Sequence, residues 1–355
     1  MTFFPDTAVP PGRLAVGVVL PSRAVRRAQR LGLAAAARHA EQAGLDLVSH
    51  RHRPAPGEPP PDAAAALAAV AAATDHITVV SEACAPRLPS PDRTAEQLAG
   101  LQRIAHGRLV LGVGADSGPT PRAAAGIPYE PHGPYDLCSP HNPYDPYDPY
   151  DPHDPYDPYD LHVPYDPHDP HEERERRTDA VLRLLPRMLA GERVPPPYAY
   201  GPGCAPAAPA AAVRVPPVWI AGGTHAAVRR AALLGDGWFP SPAPAAEVAE
   251  GTVHLAELTA ALGRKPPVVA VGAVAALGTE PGLPGRADIA AGLAEAHGAP
   301  AGRYAEVPVT GGAREAAERL HSYCGAGVSR VLVGFAGGDW RRQVELLAEV
   351  RDLVR

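Results

Sequence analysis

The sequence has no dense run of lysine and arginine, no apolar stretch of membrane length, and no two cysteines close enough together to share a metal. Each absence removes a class of function. With a formal net charge of −6 and no basic patch, nothing attracts a phosphate backbone or an anionic lipid surface, so nucleic-acid and membrane partners are disfavoured. The longest apolar run, Val268 to Leu277, falls far short of the roughly 20 residues a bilayer requires and reads as a buried strand. Cys84, Cys138, Cys204 and Cys324 lie far apart in sequence and form no Cys-x-x-Cys pair, which argues against a zinc ribbon or a redox dithiol. Free thiols in a cytoplasmic protein are the expectation. Met1 to Pro10 lack a basic start followed by an apolar stretch, so they do not read as a secretion signal.

What is present is a large apolar fraction, 45% of 355 residues, in a regular order. Strand-like runs occur at 14–20, 45–49, 77–81, 109–113, 218–221, 238–240, 268–277 and 328–334. Segments of helical character follow each: 24–43, 62–73, 92–105, 178–190, 224–234, 245–262, a divided region 288–324, and 339–354. Continuously apolar strands separated by helices imply a parallel sheet covered by helices. Eight such units predict an α/β fold of the closed (β/α)8, TIM-type kind, one barrel domain over 12–355. Ser90-Pro91-Asp92 reads as a helix start, and Thr224 and Gly235 bracket the fifth helix. Trp340, Val344, Leu347 and Val354 make an apolar stripe on the last helix and are assigned to the core.

The pattern breaks after the fourth strand. Within an inserted block, 129–172, the chain repeats Pro-Tyr-Asp or Pro-His-Asp from Pro134 to Asp169. Proline at every third position removes a third of the backbone donors and forbids helix or central strand, leaving polyproline II. The segment either is a low-complexity, disordered repeat without a site, or lets His153, His168 and nearby aspartates bind a divalent metal weakly and unselectively.

Two stretches resemble the luciferase-like monooxygenase superfamily. One is Pro91-Asp92-Arg93-Thr94-Ala95-Glu96-Gln97-Leu98, continuing through Gly107-Arg108-Leu109-Val110-Leu111-Gly112-Val113-Gly114. The other is Pro216-Pro217-Val218-Trp219-Ile220-Ala221-Gly222-Gly223-Thr224, running on to Gly235-Asp236-Gly237-Trp238-Phe239-Pro240. Weaker echoes lie at Ala43-Gly44-Leu45-Asp46, Ala125-Gly126-Ile127-Pro128, Arg177-Thr178-Asp179 and Gly325-Ala326-Gly327-Val328. The resemblance implies an oxidoreductase or monooxygenase that moves hydride between FMN, or the 8-hydroxy-5-deazaflavin coenzyme F420, and a small-molecule substrate. The ring would lie across the C-terminal mouth of the barrel. A homodimer is compatible with the sequence.

That mouth would be lined by Ser81 and Glu82 after the third strand, Gly112 and Gly114 at the fourth, Gly222, Gly223 and Thr224 after the fifth, and Ser241 after the sixth. Gly222-Gly223-Thr224 either brings backbone N–H groups and a helix dipole to a phosphate or serves only a tight turn. Gly112 and Gly114 either let the ring pack on backbone or relieve crowding inside the barrel. Members of the resembled family commonly carry an Asp-His pair after the second strand, where this chain has Ser49-His50-Arg51-His52-Arg53. His50 or His52 is then the candidate proton-handling residue, since imidazole titrates near neutrality. The family's Leu-Asp aspartate is Gln102 here, and the glutamate expected after Asp179 is Ala180. These departures leave open a barrel that binds flavin or a partner through its Tyr/Asp repeat without catalysing.

The repeat, Pro134 to Asp169, contributes few aliphatic residues to any core, and loop-closure cost grows slowly with length. Deleting it should leave the thermal unfolding midpoint nearly unchanged; a deleted chain that no longer melts cooperatively would refute this.

Overall fold

Short strands that are apolar on both faces stay buried only if helices cover one face and the strands themselves enclose the other. The computed structural model, which describes residues 13–51, 63–84, 91–114, 170–192, 212–240 and 242–355, has this arrangement. Its strands are β1 (Ala15–Val19), β2 (Leu47–Arg51), β3 (Thr78–Cys84), β4 (Leu109–Gly114), β5 (Val218–Ala221), β6 (Gly237–Phe239), β7 (Val268–Leu277), β8 (Pro308–Gly311) and β9 (Arg330–Phe335). All but β8 form a closed parallel barrel in the order β1-β2-β3-β4-β5-β6-β7-β9, sealed where β9 pairs with β1. The helices are α1 (Arg23–Ala28), α2 (Leu33–Gln42), α3 (Ala63–Ala72), α4 (Pro91–Ile104), α5 (Pro170–Leu189), α6 (His225–Leu234), α7 (Ala245–Ala261), α8 (Arg286–His297), α9 (Ala313–Gly325) and α10 (Trp340–Val354). No helix among the described residues is long and apolar enough to cross a membrane.

Alternation along each strand sorts the core into two. Val16, Val18, Val48, Val79, Leu109, Leu111, Ile220 and Val331 join the large cluster under the helices. Leu47, Val80, Val110, Trp219, Phe239, Ala270 and Leu332 form a second cluster inside the barrel. Pairing slips by about one residue per strand, so alternate strands meet at equal height. Gly17, Val80, Trp219 and Ala270 make a middle layer. Leu47, Val110, Gly237 and Arg330 lie below it, with the Arg330 guanidinium 5.9 Å from the Trp219 ring centre. Gly17 is required here, since a Cβ would fall 2.7 Å from both the Leu47 Cβ and its carbonyl oxygen.

Three expectations change. The single helix expected over 24–43 is two, because Arg30 takes φ 50 and Gly32 starts a new helix; Gln29 between them donates to the Gly338 carbonyl and accepts from the Trp340 N–H. The helix expected from 178 begins at Pro170. The divided region holds a ninth strand, since three-residue β6 leaves the upper half of ten-residue β7 without a neighbour on that side and β8 pairs with Val274–Leu277 there. The inserted repeat and the Ser90 cap lie outside the described residues.

Several residues of the resemblance do structural work at the closed end of the barrel. Asp46 accepts from the Val16 N–H at 2.9 Å, and Asp236 accepts from the Val218 N–H at the same distance, so each opens one strand by bonding the strand before it. Asp46 also pairs with Arg351 and Arg355 at the C-terminus. The buried Arg108 guanidinium donates to the Ala71, Thr74 and Ile77 carbonyls and the Thr74 hydroxyl, placing a cation at the C-terminal end of α3. Gln102 is buried, accepts from the Leu109 N–H and donates to the Arg214 carbonyl. An aspartate could not do both, because the second task needs a donor.

At the other end, the fully buried Gln343 stands in for a neighbouring strand, accepting from the Leu277 N–H at 2.8 Å and donating to its carbonyl at 2.7 Å. Gln343→Leu keeps the volume but orphans both backbone groups, at about 1–3 kcal/mol each. We expect a loss of about 2–5 kcal/mol in urea unfolding, and a loss under ~1 kcal/mol would show that this contact does not hold β7.

Candidate active site at the barrel mouth

The strand C-termini open toward the turns that follow β1, β4, β5 and β9. Above the Trp219 layer stand Ser49, Gly112, Phe239 and Leu332, and above those Val19, Ala221 and Gly272, then Gly114 and Gly334. On β4, β5, β7 and β9 the wall thus thins to glycine and alanine as it nears the mouth, while the matching positions on β2 and β3 are Arg51 and Glu82. A Cβ on Gly114 would meet the Ala221 Cβ at 3.2 Å, and one on Gly334 would find nothing nearer than 3.8 Å. A planar group can therefore contact strand backbone directly on several sides.

Beside Gly114 and Ala221, which are paired in register, the chain leaves β5 through Gly222-Gly223-Thr224 and enters α6. Gly222 takes φ +126, a conformation that glycine alone adopts readily, and a Cβ there would lie 3.1 Å from the Ala227 Cβ. Its N–H donates to the Phe239 carbonyl and its own carbonyl accepts from the Trp238 indole at 2.9 Å, so the turn is anchored to β6. Gly223 is exposed, with nothing within 4 Å of a Cβ position. Thr224 caps α6, its hydroxyl oxygen accepting from the Ala227 N–H at 3.2 Å. The N-terminal end of α6, with its helix dipole, lies at this exposed turn, a setting suited to an anion. Gly251 on α7 admits the Trp238 ring, for a Cβ there would fall 2.1 Å from the indole. A shallow cleft beside the turn is lined by Gly223, His225, Trp238 and His254 together with the carboxylate-bearing Glu247 and Glu250, and Glu247 is paired with Arg303.

The structure brings Gly112, Gly114 and Gly222–Thr224 together, with the Glu82 backbone beside Gly112, and separates them from His50 and Ser81. His50 follows the alternation of Val48, which packs under the helices, and so lies on the helix side of β2, buried and away from the lumen. Ser81 follows Val79 onto the same side and is in register with His50. Glu82 is in register with Gly112. His52 and Ser241 lie outside the described residues. The residue that sequence reasoning passed over is Ser49, a fully buried hydroxyl on the lumen side of β2, level with Gly112. Strand alternation, anchored by Leu47, was the signal that could have found it.

Comparisons with known proteins agree with this architecture. Residues 15–139 and 161–281 match the family model described as luciferase-like monooxygenase. No curated protein matches the chain. Among solved structures, the monooxygenase RslO1 from Streptomyces bottropensis is 19% identical with a TM-score of 0.62, covering 95% of this chain and 98% of its own. An F420-dependent secondary alcohol dehydrogenase, solved with an F420-acetone adduct, is 16% identical with a TM-score of 0.67 over 97% of this chain and 99% of its own. Riboflavin lyase RcaE, solved with modified FMN and riboflavin, is 15% identical with a TM-score of 0.58 over 94% and 90%. At these identities the likeness shows a shared fold.

Burial first, and the nearby Arg26 guanidinium second, hold the His50 imidazole below its ordinary range. The folded state then binds that proton less readily than the unfolded chain. Stability is intact above about pH 6.5 and falls as pH drops below it, at up to about 1.4 kcal/mol per pH unit. His50→Gln should flatten this slope between about pH 6.5 and 5 in thermal melts. An unchanged slope would mean that His50 is not shielded behind β2.

Proposed function

The chain belongs to the luciferase-like monooxygenase family, and on that premise we propose that it is an oxidoreductase holding FMN or F420 across the barrel mouth, with a small organic molecule as substrate. The observation that carries this reading is the Gly222-Gly223-Thr224 turn beside a glycine-lined lumen. Together they offer an anion seat and a flat backbone surface at one end of the barrel. Either cofactor has both an anionic tail and a planar ring, so the residues present fit the group.

In this assignment Gly223, Thr224 and the first N–H groups of α6 hold the phosphate. Gly112 and Gly114 support the ring face from β4, and the position of Glu82 borders it from β3. The bound cofactor supplies hydride transfer. The chain's own part is to anchor, orient and exclude water, with the buried Ser49 placed on the lumen side of β2 at the level of Gly112. His50 is left out of the chemistry because it lies behind its strand, while His52 keeps the proton-handling assignment. The departure at Gln102 does not argue against activity, since that residue bonds backbone at the closed end of the barrel.

Replacing Gly223 by Asp places a carboxylate where the phosphate would sit, in a position with room for a side chain and no positive φ. The fold should survive. Losing one or two charge-assisted hydrogen bonds, plus repulsion, should raise the dissociation constant for FMN or F420 by at least about tenfold. Titration of parent and variant with each cofactor, oxidised and reduced, reads this directly. If Gly223→Asp binds as the parent does, the phosphate lies elsewhere; if the parent binds neither cofactor, the reading as a redox enzyme fails.

A further inference from the structure

Residues 13–40 hold six arginines and not one carboxylate, in a chain whose net charge is −6. Three of them, Arg23, Arg26 and Arg27, ride on α1, which leaves β1 at the mouth. Arg23 and Arg27 are exposed, as solvated surface cations usually are. Arg26 is different. Its side chain is half-buried, its Nε is shut off from solvent without a hydrogen-bond partner, and no carboxylate among the described residues pairs with it. It lies close enough to buried His50 to disfavour a second positive charge there. The nearest acid in sequence, Glu41, is occupied with the Asp75, His76 and Ile77 N–H groups at the opposite end of the barrel. A guanidinium partly withdrawn from water, with no counter-charge among the described residues, carries an energetic cost that a bound anion would offset.

Position narrows what that anion is. In the closed order of strands β1 lies four strands from β5 in either direction, so α1, which carries Arg26, and the Gly222–Thr224 turn follow strands on opposite sides of the barrel, with Arg26 at the β1–β2 side beside His50. A cofactor anchored by phosphate at β5, with its ring over the lumen, leaves the β1–β2 side for the substrate. We propose that Arg26 is a specificity-determining residue that binds the carboxylate of an organic-acid substrate at the β1–β2 rim. This rests on the cofactor assignment for its direction across the mouth, but the carboxylate preference itself is measurable without cofactor.

The test compares hexanoate with 1-hexanol, which share a chain and differ in charge, by quenching of tryptophan fluorescence in the protein alone and by perturbation of cofactor absorption in the FMN- or F420-loaded protein. Trp219 inside the barrel gives the first readout a local reporter. The parent should bind hexanoate about tenfold or more tightly than hexanol, as expected for a charge-assisted hydrogen bond. Arg26→Gln should lose that preference and bind cofactor as the parent does, whereas Arg27→Gln should change it less than about threefold, a charge-only effect at an exposed site. The proposal is overturned if the parent shows no preference, if Arg26→Gln keeps it, or if Arg27→Gln loses it equally. Weakened cofactor binding in Arg26→Gln would reassign the arginine to the cofactor phosphate and overturn it as well. Failure of the parent to bind either cofactor sinks the redox reading, and the fluorescence arm still decides Arg26.

Discussion

Closing a parallel sheet on itself leaves each strand residue two destinations, the lumen or the helix layer, and a shift of one position exchanges them. Most of this structure follows from that restriction. Once β9 pairs with β1, Leu47 must point inward, and His50 is then committed to the helix side while Ser49 is committed to the lumen. The same counting stacks Val80 with Trp219 in the middle and leaves Gly112, Gly114, Gly272 and Gly334 toward the mouth. Residues on β4, β5, β7 and β9 therefore become smaller from the middle of the lumen toward the mouth.

The two ends of the barrel use polar groups differently. At the closed end Asp46, Asp236, Arg108 and Gln102 each bond backbone, and their charges are met by N–H groups, carbonyls or arginines. Such groups fix the strands in register and have little left with which to bind a ligand. Toward the mouth the pattern reverses. A side chain at Gly223 would meet open space, the N-terminal end of α6 lies exposed beside it, and Arg26 has no counter-charge among the described residues. An exposed helix start and a half-buried arginine at one end, held by a backbone-bonded framework at the other, is the arrangement expected of a binding site on a rigid scaffold.

The barrel was legible in the sequence because strands buried on both faces read as continuous apolar runs such as Leu109–Val113 and Val268–Leu277. The Thr224 cap was legible because its partners are three residues away. That same continuity hid the facing of His50: with apolar neighbours on both sides of β2, no alternation marks inside from outside, and only pairing with β1 and β3 settles it. β8 was missed because Pro308-Val309-Thr310-Gly311 is too short to stand out and exists to cover an edge that short β6 leaves bare. Gln102 read as a lost functional group because its tasks, at Leu109 and Arg214, are made by the fold.

The carboxylate of Asp46 also bears on how the chain must be made. It is completed by Arg351, which lies 305 residues later, and β1 waits equally long for β9. Until those residues are made, therefore, one edge of the apolar strand β1 stands open, a template for wrong pairing with another copy. Arg13 and Arg23 bracket that strand with like charges, the kind of flanking repulsion that keeps unfinished chains apart until the ribosome delivers the partner that closes the ring.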